Sequence, residues 1–269
     1  MQYMGYRTEV AGLYPDYFKM YWAAVNGDAE TARSHGAKLL EKDPTLGLAY
    51  IGEATACWFH GDPEGHKAAF AKAAENMGGQ PMAARLFVQS INAATTEEKL
   101  TLARKAMVLA PDDPMLALQL AYFLFAEADE ATEALAIMRR VAWRWPACGG
   151  VHNMLGYLEL AAGNQKAAGD HFRMYARVCP EIANAHDSLG DYQVAVGDKE
   201  GAMKSFARAL ELGPGVGLVR FGFDIAGHGL GADHRVHDLV EESGEAQFEG
   251  IVGRIVEGEG RLAQLEAVG

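Results

Sequence analysis

Chemistry-bearing residues gather in two parts of this chain. Near the C-terminus His228, Asp233, His234, His237 and Asp238 fall within eleven residues, and His234 and His237, three apart, would share one face of a helix. Imidazole and carboxylate are zinc donors, but zinc needs three or four of them converging, and no recognised ligand spacing is present, so a polar, partly exposed helix is the reading adopted. The overlapping run GHGLGADH (227–234) is rich in glycine. No strand precedes it and no Lys-Ser/Thr follows, so it makes a poor phosphate cradle. The second group is Asp187 and Asp191, one helical turn apart, with His152 and His186 spaced 34 residues from each other. Two neighbouring carboxylates attract a basic or amide group when a ligand supplies one, and otherwise form a solvated face.

Motifs of common enzymes are missing: no GxGxxG opening a helix after a strand, no GxxxxGK ending in Ser or Thr, no HExxH and no GxSxG. No catalytic residue, metal or cofactor is therefore expected. The three cysteines, Cys57, Cys148 and Cys179, are odd in number and lack CxxC spacing. They read as small buried apolar side chains in a reducing compartment. Residues 1–18 carry no basic region followed by an apolar core, so a cytoplasmic location is expected.

The chain that must position these groups has 269 residues, 49% hydrophobic and 22% charged, which is the make-up of a folded protein. Its 24 Lys+Arg against 36 Asp+Glu give a net charge of −12, which works against binding nucleic acid or anionic lipid. No stretch approaches the ~20 apolar residues of a membrane span.

An internal repeat organises the sequence. Gly27 and Gly61 are 34 apart, as are Gly163 and Gly197, and Pro146, Pro180 and Pro214 keep the same step. Phe172 and Phe206, and Ala134, Ala168 and Ala202, fall into the same register, and Leu155-Gly156 recurs as Leu189-Gly190. Repeats then start at 13, 47, 81, 115, 149 and 183. Each reads as two helices. Residues 183–196 form a first helix, Gly197-Asp198 a turn in which glycine takes the left-handed conformation, and 199–212 a second helix stopped by proline. Gly190 and Ala202 let the pair approach closely, with Phe206 filling the space beside them. In the repeat from 81 the turn ATTEEK lacks glycine, and Thr96 is the expected cap of its second helix.

These residues resemble the tetratricopeptide repeat family, most clearly through Leu155-Gly156, Ala168, Phe172 and Pro180, and through Leu189-Gly190, Ala202, Phe206, Ala209 and Pro214. The first repeat departs from the pattern, with Lys19-Met20 in place of Leu-Gly. The resemblance implies an all-α, right-handed superhelical solenoid of helix-turn-helix repeats over residues 13–216, between an N-terminal flank of 1–12 and a C-terminal region of 217–269. It implies a protein- or peptide-binding scaffold, with the first helix of each pair lining a concave groove.

Carried over by repeat position, the groove takes Tyr14, Tyr17 and Tyr21 from the first repeat and Ile51, Thr55, Trp58 and Phe59 from the second. The third supplies Arg85, Gln89 and Asn92, and the fourth Gln119, Phe123 and Glu127. Asn153, Tyr157 and Leu160 follow, then Asn184, Asp187 and Asp191. The groove would run from an aromatic end to an acidic one, favouring a partner with basic or amide groups at the latter. The alternative for the N-terminal rings is core packing. No lysine stands at the positions where some family members clamp a terminal carboxylate.

Two rival functions keep the same scaffold. One is an enzyme or a small-molecule or metal-binding protein, favoured by a deep pocket lined by His152, His186, Tyr157 and Asp187. The other is a self-assembling structural factor. Residues 217–269 hold 11 of the 31 glycines and 4 Arg against 10 Asp+Glu. They read as a degenerate seventh pair followed by a capping helix, whose glycines weaken it unless it packs on the solenoid or on a second copy of the chain.

Overall fold

The computed structural model describes Gly5 and residues 12–213. Within them lie twelve α-helices in six successive pairs: α1 (Tyr14–Asn26) and α2 (Ala29–Lys42); α3 (Tyr50–Phe59) and α4 (Pro63–Glu75); α5 (Met82–Asn92) and α6 (Thr96–Leu109); α7 (Pro114–Tyr122) and α8 (Ala131–Arg144); α9 (Gly149–Ala161) and α10 (Gln165–Val178); α11 (Ala183–Ala195) and α12 (Lys199–Leu212). No strand occurs among the described residues. A 3-10 turn, Gly47–Ala49, leads into α3, and a π-helical turn, Phe123–Glu127, prolongs α7. The all-α solenoid of helix pairs that the resemblance implies is the fold observed. The seventh pair and cap expected in 217–269, self-association through them, and the His228–Asp238 cluster lie outside the described residues.

The turn inside each pair shows why glycine recurs. Gly27, Gly61, Gly163 and Gly197 all have φ between +67° and +81°, where a Cβ would be strained. After three of them the next residue caps the following helix: Asp28 accepts from the Thr31 N–H (3.1 Å), Asp62 from Gly65 (2.8 Å) and Asp198 from Gly201 (2.9 Å), whereas Asn164 instead donates its amide to Glu159. The fourth repeat puts Asp129 at the glycine position, and it too is left-handed, at φ 56°. In the third repeat Thr95, not Thr96, is the cap: its hydroxyl accepts from the Glu98 N–H, while Thr96 Oγ1 donates to Glu127.

Within a pair, small residues set the helix separation. A Cβ on Gly156 would lie 2.7 Å from the Phe172 ring, and one on Gly190 2.5 Å from Phe206. Phe172, Ala168 and Ala202 are completely buried. His152 and His186 each place Nε2 2.8 Å from the carbonyl of the repeat-closing proline, Pro146 and Pro180 respectively. Because a carbonyl only accepts, both imidazoles donate there, tying the start of a first helix to the end of the preceding pair.

A second set of contacts is not between neighbours. The C-terminal half of α1 crosses to the fourth and fifth pairs. Tyr21 donates its phenol to Asp113 (2.7 Å), a fully buried carboxylate that also caps α7 through the Leu116 N–H. Asn26 Oδ1 accepts the Gly149 N–H (2.8 Å), and its carbonyl accepts from Tyr175 (2.8 Å), whose oxygen in turn accepts from Asn184 (3.0 Å). Trp22 meets Trp145 edge to face with ring centroids 5.1 Å apart. At Gly150 a Cβ would collide with the Val25 carbonyl, so the approach of α1 to α9 requires glycine. The solenoid is thereby clasped back on its own beginning.

Candidate functional site

The clasp turns the concave side into a half-open chamber of about 390 Å³. Ile51, Thr55, Trp58 and Phe59 of α3 line it, with Phe87 and Ile91 of α5, Met115, Leu118, Gln119 and Tyr122 of α7, and Gly150, Asn153 and Met154 of α9. Phe123 and Glu127 enter it from the two ends of the π-helical turn. The end of α1, from Ala24 to Gly27, together with Tyr175 and Asn184, completes the wall. Most are first-helix positions in successive repeats, as the period requires, with four contributions from second helices: His66 and Phe70 of α4, Lys99 of α6 and Tyr175 of α10.

Rings dominate the wall and meet one another at their edges. Trp58 packs against Tyr122 (5.6 Å, 88°) and His66 (5.2 Å), and His66 packs against Phe70 (5.0 Å). The chamber's cation is neutralised: Lys99 Nζ lies 2.9 Å from both carboxylate oxygens of Glu127 and 5.4 Å from the Phe123 ring centroid. Burial holds His66 below the ordinary imidazole range, with its Nδ1 2.9 Å from the Ala54 carbonyl oxygen. Asn153 has a buried Oδ1 with no hydrogen-bond partner.

Of the residues expected in the groove, Ile51, Thr55, Trp58, Phe59, Gln119, Phe123, Glu127, Asn153 and Asn184 meet in this chamber. Tyr17 and Tyr21 do not face a partner: they are 1% and 3% exposed, packed inward because the clasp brings α1 against α7 and α9. Core packing is thus the correct account of these two rings. Asn92 spends its amide nitrogen on the Phe70 and Val88 carbonyls. Arg85 is half-buried and Gln89 exposed, both on α5. Tyr157 is buried and donates to Asp191 (3.0 Å). Burial and the adjacent Asp191 carboxylate push Asp187 up to about 8, so the acidic pair carries less than two charges at neutral pH. None of His152, His186, Tyr157 and Asp187, the four residues whose pocket would favour an enzyme, lines this chamber.

The three cysteines are buried and form no disulfide, and burial raises the Cys148 and Cys179 thiols to about 12 and about 11, far from the thiolate needed for reactivity. Among the described residues no three His, Cys, Asp or Glu side chains converge as metal ligands, and no helix is long and apolar enough to cross a membrane.

No protein-family model matches the chain, and no curated protein matches it in sequence. Solved structures match it in shape. TTC0263, a thermophilic TPR protein of Thermus thermophilus, is 15% identical over 64% of this chain and 91% of its own, with a TM-score of 0.51. PilW, a type IV pilus biogenesis factor, is 16% identical over 76% of this chain and 95% of its own, at 0.44. YrrB, a TPR protein with an unusual peptide-binding site, is 18% identical over 66% and 92%, at 0.42. Identities this low speak to the arrangement of helices alone, and the first match suffices for that. With six helix pairs in a 34-residue register and a solved counterpart of the same architecture, the chain has the fold of a tetratricopeptide-repeat protein.

Proposed function

We propose that this chain is a scaffold that binds a partner protein or peptide on its concave side, anchored by an apolar side chain that enters the chamber. The observation that carries this reading is the chamber itself, an aromatic, half-open cavity of about 390 Å³ built from the helix positions that face inward in every repeat. Deep apolar pockets are where binding energy concentrates, and the surrounding polar residues set register. Around the anchor, Arg85 and Gln89 on one side and Asp187 and Asp191 on the other would meet the partner's polar groups. With Asp187 largely protonated near pH 7, that end favours an amide or a single basic group rather than a cluster of lysines.

A random-peptide display selection against the full chain tests this. Enriched peptides should share one apolar residue and should lose at least about tenfold in affinity when Thr55→Trp fills the chamber. Peptides that bind the filled variant as tightly as the native chain would overturn the reading.

A further inference from the structure

The chamber is selective in chemistry as well as in size. Its charged side chains, Lys99 and Glu127, are already paired. A cationic ligand would find Lys99 in place over the Phe123 face, and an anionic one would lie beside Glu127. What remains unpaired is an acceptor. The Ala54 carbonyl can only accept, so the His66 ring carries its hydrogen on Nδ1, and Nε2 keeps a lone pair with no partner among the described residues. A wholly apolar ligand would cover the His66 acceptor without pairing it, which is unfavourable. The faces and edges of Trp58, Phe70 and Tyr122 around His66 suit a flat ring.

We infer that the chamber binds an uncharged aromatic ring bearing a single N–H or O–H donor, an indole or a phenol, with that donor on His66 Nε2. The inference takes from the proposed function only that the chamber is the binding site. Such a ring comes either from a Trp or Tyr side chain of a partner or from a free aromatic molecule.

Calorimetric titration of the full chain with indole, with indene (the same shape without the N–H) and with N-acetyltryptophanamide tests it. Indole should bind about fivefold tighter than indene, the worth of one net hydrogen bond. The His66→Phe variant, which keeps a ring in place but removes the acceptor, should abolish that difference. The comparison of the two ligands on the native chain needs no variant and stands even if His66→Phe fails to fold. Equal affinities for indole and indene, binding of neither, or a difference that survives in His66→Phe would overturn the inference. N-acetyltryptophanamide separates the sources: binding like that of indole supports a partner's side chain. Exclusion of it while indole binds supports a free ligand, so the inference would stand and the partner-anchor reading would fall.

Discussion

The pair α9/α10 and the clasp formed by α1 hold the molecule together in opposite ways. In α9/α10 the Phe172 ring fills the space that Gly156 leaves across a turn of a few residues, and the polar contact beside it, His152 Nδ1 to His171 Nδ1 (3.1 Å), is again between neighbouring helices. In the clasp, Tyr21–Asp113, Asn26–Gly149 and Tyr175–Asn26 join residues 92, 123 and 149 apart, each through a hydrogen bond. The first kind repeats because any neighbouring pair needs it. The second kind occurs once and fixes curvature, so it determines whether a chamber exists rather than whether helices form.

The comparison can be broken most strongly at Phe172. Replacing it with Ala should lower stability by about 3–5 kcal/mol, read as a fall in denaturant midpoint, because the ring fills the space that Gly156 leaves. Survival of the midpoint would mean that the pairs are held chiefly by the clasp. Asp187→Asn is expected to act next. The folded carboxyl, at about 8, keeps its proton where the unfolded one, near 3.9, has lost it. The folded state therefore binds the extra proton between those values, and stability falls as pH rises through that window. The Asn variant should melt higher than the native chain at pH 8 and alike near pH 4; an equal difference at both would refute the assignment. The smallest effect is expected from Tyr21→Phe. Losing its bond to Asp113 should cost about 1–2 kcal/mol and should raise the radius of gyration in solution scattering without loss of helical circular dichroism. An unchanged radius would show that Trp22 and Asn26 close the clasp without it.

What was legible in the sequence followed from the period. Gly27, Gly61, Gly163 and Gly197 announced left-handed turns, and Phe172 and Phe206 announced ring-against-glycine packing, because each is a local requirement that returns every 34 residues. Trp58, Gln119, Phe123 and Asn153 were legible as concave residues for the same reason. His66, Phe70 and Lys99 were not, since they reach the chamber from second helices, which face outward in an idealised repeat. The clasp left no periodic trace at all. Its one hint was negative: the first repeat breaks the pattern, and Tyr21, Trp22 and Asn26 stand where a stacking helix has no use for long polar or aromatic side chains. The π-helical turn was equally invisible, although Asp129 occupies the repeat's glycine position directly after it.

The bond between Asn26 and Gly149 also bears on how the chain comes to be folded. A stack of helix pairs has low contact order, and helical domains built from such local contacts fold within microseconds to milliseconds. Joining residues 123 apart requires closing a loop through α2 and three finished pairs, and the chain entropy of that closure is repaid only once they are nearly in place. Closure is therefore the late step, and a refolding experiment should see helix content return before the chamber does.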